Sequence, residues 1–166
     1  MTTIVYRDGV MAADSRVVRL GDGVQPVIMP ERATKLYRLA DGTVAGFSGH
    51  FEAALGWLDR AKVGGVEAVA GIDIGLGTSI LTATPGHLDQ FGKQALRMWG
   101  GVGYYDVCIS PLNGFYALGS GKIAALGALY AGATAERAVE IAALLDFSTG
   151  GEILTMWIES EMAVAA

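Results

Sequence analysis

The second residue of this chain carries both groups that an N-terminal nucleophile needs. If Met1 is removed, Thr2 presents a hydroxyl and a free α-amine on one residue, and the amine can act as the general base for that hydroxyl. An unperturbed α-amine has a pKa of roughly 7.7–8, so it can accept a proton near neutral pH. The same stretch, Thr2 to Val5, also suits an ordinary edge strand because Thr and Ile favour strands.

Asp14 is brought next to Thr2 by a predicted hairpin. Asp8-Gly9 lies between two short apolar runs, 3–7 and 10–13, and this pair is a strong signal for a two-residue turn. Pairing across the turn returns the end of the second strand to the start of the first. Alternatively, Asp14 is a solvated strand end whose ion pair is worth under about 1 kcal/mol.

Lys35 lies in a second predicted hairpin, formed by strands 34–39 and 43–48 around an Asp-Gly pair. It shares one strand face with Tyr37 and Leu39. A lysine aligned with apolar residues is either a functional group or an edge residue whose ammonium reaches back to water.

The remaining pattern predicts an α+β fold of mostly antiparallel sheets covered by helices. Residues 21–33 contain two prolines and predict a loop or a ragged strand, and 93–113 predict an irregular connection or a further strand pair. Helical periodicity covers 51–63, 122–131 and 135–145, and further strands are predicted at 78–84, 88–92, 115–118 and 152–158.

Composition narrows the class of protein. A chain of 166 residues indicates one domain, 1–166, and 52% apolar residues with a mean hydropathy of +0.40 indicate a surface partly covered by further copies of the chain. The net charge of −5 argues against a nucleic-acid partner. No apolar run approaches a membrane span and no secretion signal opens the chain, so we expect a cytoplasmic protein without membrane contact.

The metal-ligating residue types are few. The single cysteine, Cys108, excludes an internal disulfide and is interpreted as a core residue. His50 and His87 are the two histidines, so we expect no metal and no cofactor.

Six short segments, taken together and in order, resemble proteasome β-type subunits and most closely the HslV-type peptidases, which are N-terminal nucleophile hydrolases. The resemblance covers nearly the whole chain and implies an αββα sandwich of two antiparallel sheets between helical layers. The segments are Thr2-Thr3-Ile4-Val5, Ala12-Ala13-Asp14-Ser15-Arg16, Lys35-Leu36-Tyr37-Arg38-Leu39, Ala45-Gly46-Phe47-Ser48-Gly49, Gly119-Ser120-Gly121 and Asp146-x-x-Thr149-Gly150-Gly151.

The resemblance also implies a role for each matching residue. Thr2 resembles the nucleophile, Lys35 the lysine beside it, and Asp14 the carboxylate that holds Lys35 charged. Gly46 resembles the residue whose backbone N–H stabilises the oxyanion. The three other matches lie near the α-amine: Ser120, which hydrogen-bonds beside it, Asp146, the acid behind that serine, and Thr149, where many relatives have a serine.

The implied function is threonine-type endopeptidase activity within a ring-shaped homo-oligomer, with unfolded polypeptide as substrate and an AAA+ unfoldase as a partner. The spacing from Thr2 to Asp14 is four residues shorter than is usual in the family, which preserves the face of every side chain if each hairpin arm loses two. The segment after residue 63 is too short for the family's second long helix, so one helical layer is expected to be reduced. Two alternatives are an inactive structural or interaction subunit with the same fold, and an amidohydrolase acting on small amides.

Overall fold

The computed structural model describes residues 2–20, 26–69, 72, 74, 77–85, 87–98, 101–106 and 114–158. These ranges hold three α-helices, α1 (Phe51–Gly64), α2 (Lys122–Tyr130) and α3 (Ala135–Leu145). They also hold eleven strands: β1 (Thr3–Arg7), β2 (Val10–Asp14), β3 (Arg16–Leu20), β4 (Pro26–Arg32), β5 (Leu36–Arg38), β6 (Val44–Ser48), β7 (Ser79–Thr84), β8 (His87–Met98), β9 (Gly101–Asp106), β10 (Phe115–Gly119) and β11 (Ile153–Trp157).

Two antiparallel sheets pack face to face, and helices cover both outer faces. Sheet 1 has the order β10-β1-β2-β11 and sheet 2 the order β5-β6-β7-β8-β9. An apolar layer that includes Ile4, Met11 and Leu81 fills the space between the sheets. Helices α2 and α3 pack on sheet 1, and α1 packs on sheet 2 through Trp57 and Leu58. The layers therefore follow the predicted αββα order.

The β1–β2 hairpin sets the position of the N terminus. Asp8 and Gly9 have φ values of 50° and 76°, which is the left-handed pair that a tight hairpin turn requires. The register pairs Ile4 with Ala13, so Thr3 comes opposite Asp14 at the end of the hairpin. The predicted return of the second strand to the N terminus is confirmed.

The two faces of β1 meet different layers. Ile4 lies in the layer between the sheets, whereas Val5 packs against α2 and α3. Successive strand residues alternate between faces, so Thr2 belongs to the face that looks toward sheet 2 and Thr3 to the helical face.

In two segments the structure goes beyond the sequence prediction: it replaces one expectation and selects between two alternatives in the other. Residues 26–32, expected within a loop or ragged strand, form β4, which pairs with β3 in a two-stranded ribbon. The prolines obscured this strand, but proline is compatible with a strand that has one neighbour. Of the alternatives for 93–113, the strand pair is found: β8 extends to Met98 and pairs with β9. Cys108, predicted to be a core residue, lies outside the described residues.

The helical layer on sheet 2 is reduced, as expected. Among the described residues between α1 and β7, helical structure is limited to a 3-10 turn at Val66–Val69. Within the described chain, no helix has the length and apolar character needed to cross a bilayer.

Candidate active site

The peptide group between Thr2 and Thr3 is held at both of its polar atoms. The Thr2 carbonyl accepts a hydrogen bond from the Ser120 N–H (2.9 Å), and the Thr3 N–H donates to Asp14 Oδ1 (2.8 Å). Thr2 is 4% exposed. Gly119 permits this approach, because it has a φ of +101° and any Cβ there would overlap the Thr2 carbonyl. The start of the chain is therefore fixed between β2 and the turn after β10.

Asp14 is a fully buried carboxylate whose two oxygens accept four hydrogen bonds. Oδ1 accepts from Thr3 N–H and from Lys35 Nζ (2.9 Å). Oδ2 accepts from the backbone N–H groups of Gly150 (3.0 Å) and Arg16 (3.2 Å). Since Lys35 Nζ and Thr3 N share one acceptor, the ammonium lies within two hydrogen-bond lengths of the N-terminal strand.

Lys35 lies immediately before β5, and its side chain is 4% exposed. Its Nζ also donates to the Arg16 carbonyl (2.8 Å). Burial lowers the pKa of Lys35 below its usual value of 10.5; Asp14 opposes that shift, and the nearby Arg16 charge adds to it. The sequence alternative of an edge lysine reaching solvent is wrong for this residue.

Ser120, Asp146 and Thr149 form a second cluster beside Thr2. Ser120 Oγ and Thr149 Oγ1 both donate to Asp146 Oδ2, over 2.7 and 2.6 Å. Asp146 Oδ1 accepts from the Ser148 N–H (3.2 Å). Burial alone would raise the pKa of Asp146, but the hydrogen bonds from Thr149, Ser120 and Ser148 outweigh it and lower the pKa below 3.8. Asp146 is therefore an ionised acceptor near neutral pH.

Gly46 does not join either cluster. The Phe47 N–H donates to the Lys35 carbonyl, so the N–H groups of β6 point toward β5 at Phe47 and toward β7 one residue earlier. Gly46 N–H accordingly faces β7, where its partner in the register is Leu81. A Cβ at Gly46 would lie 3.0 Å from Ile4 and 2.9 Å from Leu36. Gly46 thus permits close packing of the two sheets, and its ladder position is the physical reason against the oxyanion role expected for it.

Gly49, to which the sequence prediction gave no role, lies one residue beyond the end of β6. The same alternation points its N–H away from β7, toward the side on which Lys35 lies, and no acceptor for it is found among the described residues. Gly49 has a φ of +117°, and a Cβ there would overlap the Gly77 carbonyl. The sequence has two glycines three positions apart in this segment, but their spacing alone does not determine which of them lies at the end of the β6 hydrogen-bond ladder.

Solved structures are similar to this chain over nearly its whole length. HslV from Trypanosoma brucei matches with a TM-score of 0.66 at 18% identity, covering 95% of this chain and 99% of that one. Thiobacillus denitrificans BPH in complex with epoxomicin matches with a TM-score of 0.57 at 18% identity, over 96% of this chain and 99% of that one. No protein-family model and no curated protein sequence matches the chain. The αββα layering, with its reduced helical layer on sheet 2, and these matches show that the chain has the N-terminal nucleophile hydrolase fold of the HslV and proteasome β type.

Proposed function

We propose that this protein is a threonine-type endopeptidase whose nucleophile is the Thr2 hydroxyl after removal of Met1. The observation that carries the proposal is the Asp14 carboxylate, which holds the Thr3 N–H and the Lys35 ammonium on a single oxygen beside Thr2. A buried charge pair has a large desolvation cost, so a buried pair next to a potential nucleophile suggests a functional use.

The chemistry follows from the groups around Thr2. The α-amine takes the proton of the hydroxyl as the oxygen attacks the scissile carbonyl, and the Lys35 charge favours both the unprotonated amine and the developing alkoxide. Collapse of the tetrahedral intermediate breaks the C–N bond, and the proton held by the amine passes to the leaving nitrogen. Water then hydrolyses the ester on Thr2 and regenerates the hydroxyl.

We assign the oxyanion donor to Gly49 in place of Gly46. Gly49 N–H lies beyond the last ladder bond between β5 and β6 and points to the Lys35 side of the strand, whereas Gly46 N–H points into the sheet. A backbone donor fixed in advance is the type of group that stabilises an oxyanion without reorganisation. Ser120 and Asp146 complete the site by placing the Ser120 oxygen beside the Thr2 backbone.

Assembly into a homo-oligomeric ring is part of the proposal, since it would confine the site and restrict substrates to unfolded polypeptide. The support on this chain is the exposure of large apolar side chains on α2 and α3: Ile123 and Leu144 are each 80% exposed and Leu145 is 74% exposed. We extend the proposal to an AAA+ unfoldase partner, which the resemblance of the six sequence segments to HslV-type peptidases implies, and to a cytoplasmic location. The mass of the protein in solution tests the ring, and activity measured with and without an unfoldase tests the partner.

The deciding experiment measures intact mass and covalent labelling. We expect mass spectrometry to find Met1 removed, and a peptide epoxyketone, the class used with the Thiobacillus denitrificans protein, to modify Thr2 alone. Thr2→Ala should abolish labelling and turnover, while Thr155→Ala, which changes an exposed threonine on β11, should alter neither. If wild-type protein without Met1 forms no adduct, the peptidase proposal fails and the inactive-subunit alternative is favoured. If the protein hydrolyses small amides but cleaves no peptide, the amidohydrolase alternative is favoured.

A further inference from the structure

Thr3 is a fully buried residue that joins the two clusters of the site. Its backbone N–H donates to Asp14, and its side chain, on the opposite face of β1 from Thr2, contacts Thr149 Oγ1 at 2.6 Å. Thr3 Oγ1 also accepts from the Gly121 N–H (3.1 Å). Thr3 and Thr149 are both 0% exposed. One residue therefore connects the Lys35–Asp14 pair to the cluster around Asp146.

The direction of the hydrogen bonds follows from the number of protons. Thr149 has one hydroxyl proton, and its 2.6 Å bond to the ionised Asp146 carboxylate uses it. In the contact between Thr149 and Thr3, the donor must then be Thr3. Ser120 likewise uses its proton on Asp146 at 2.7 Å, in preference to the 3.4 Å contact with the Thr2 carbonyl. The Ser120 oxygen is left with lone pairs that can accept from the Thr2 α-amine.

The turn after β10 leaves room for this series of linked hydroxyl groups. A Cβ at Gly121 would overlap Thr3 Oγ1 and lie 2.9 Å from Thr149 Oγ1. Glycine is the residue type that lets the Gly121 N–H approach Thr3. The hydrogen bonds run from Gly121 N–H to Thr3, from Thr3 to Thr149, and from Thr149 to Asp146. Ser120 also donates to Asp146. Hydrogen bonds linked in this way polarise and orient one another.

We infer that Thr3 is a positioning residue for the proposed threonine peptidase: its hydroxyl fixes Thr149 on Asp146 and thereby aims the Ser120 lone pairs at the Thr2 α-amine. The inference rests on the proposed function, but it concerns a residue that contacts neither the scissile bond nor the amine. Its effect should consequently reach the reaction through Ser120.

The test is a double-mutant cycle between Thr3 and Ser120. Thr3→Val keeps the shape and removes the hydroxyl, and Thr3→Ser keeps the hydroxyl. With a fluorogenic peptide amide, we expect Thr3→Val to lower kcat about 3- to 10-fold, the effect of one hydrogen bond, with KM within about twofold of wild type. Thr3→Ser should restore most of kcat. In a Ser120→Ala background, Thr3→Val should have less than about a twofold effect.

The outcomes separate a positioning role from a structural one. An equal loss of kcat from Thr3→Val with and without Ser120, or a kcat at least half that of wild type, overturns the inference. Thr149→Val breaks the same contact from its other end, and its cycle with Ser120 decides the matter if Thr3→Val does not fold. If the wild-type protein hydrolyses the peptide and Thr3→Val is equally active, only the inference is overturned. If Thr2 of the wild-type protein is not labelled, the proposed function and the inference are overturned together.

Discussion

Replacing Asp14 with asparagine tests whether a buried charge organises the site. The carboxylate accepts four hydrogen bonds, two on each oxygen, from Thr3, Lys35, Arg16 and Gly150. An asparagine amide nitrogen cannot accept, so one of these two pairs of donors loses its acceptor. Lys35 would also lose its counter-ion while 4% exposed.

The expected cost of Asp14→Asn is about 3–5 kcal/mol, the range measured when one partner of a buried ion pair is removed. For a chain of this size, each kcal/mol lowers the melting temperature by about 2–4 °C, so the transition should fall by about 6–20 °C. The assay is thermal unfolding followed by circular dichroism, at equal protein concentrations because assembly makes the melting temperature depend on concentration.

Glu140→Gln provides the matched control. Its partner is Arg137 on the surface of α3, and the two side chains are 41% and 61% exposed. An exposed pair contributes about 0–1 kcal/mol, so the control should shift the transition by less than about 4 °C. A shift for Asp14→Asn as small as that of the control would refute the reasoning.

Three further predictions concern the glycines and the pH dependence of the reaction. Gly46→Ala should destabilise the fold by about 1–3 kcal/mol through overpacking against Ile4, yet leave the epoxyketone labelling rate of the folded protein unchanged; a large loss of labelling would return the oxyanion role to Gly46. Gly49→Ala should lower kcat for peptide hydrolysis at least about 100-fold, because it displaces the proposed oxyanion donor, and near-normal turnover would exclude that role. The labelling rate should rise with pH as the α-amine loses its proton, at a pH below the roughly 7.7–8 of an ordinary α-amine because the Lys35 charge disfavours protonation, and it should fall again before pH 10.5 as Lys35, whose pKa is lowered, loses its charge; a rate flat across this range would contradict both assignments.

Local sequence signals were sufficient to predict the arrangement of the N-terminal part of the site. The Asp8-Gly9 turn determines the register of β1 and β2, and that register alone places Asp14 opposite Thr3. Helix periodicity likewise predicted α1, α2 and α3 close to their observed bounds. The association of Ser120 with Asp146 could not be read in this way, because it depends on how α2 and α3 pack on sheet 1, and it came from the family resemblance.

The choice between Gly46 and Gly49 as the proposed oxyanion donor could not be made from the sequence. Gly46 and Gly49 are both in one glycine-containing segment, and only the pairing of β6 with β5 and β7 determines which N–H enters the ladder. The strand β4 was obscured for a different reason, since Pro26 and Pro30 are unfavourable in a central strand and acceptable in a ribbon. Thr3 looked like a strand former, and its hydroxyl contact with Thr149 joins residues 146 positions apart.

The central claim is that Thr2 becomes the nucleophile once it is the first residue. The most direct measurement is peptide mapping by mass spectrometry after treatment of the purified full chain with a peptide epoxyketone. The account predicts an N-terminal peptide that begins at Thr2 and carries the adduct, in wild type and in Thr155→Ala but not in Thr2→Ala. An N-terminal peptide that begins at Thr2 and stays unmodified, or an adduct on any other residue, would contradict it.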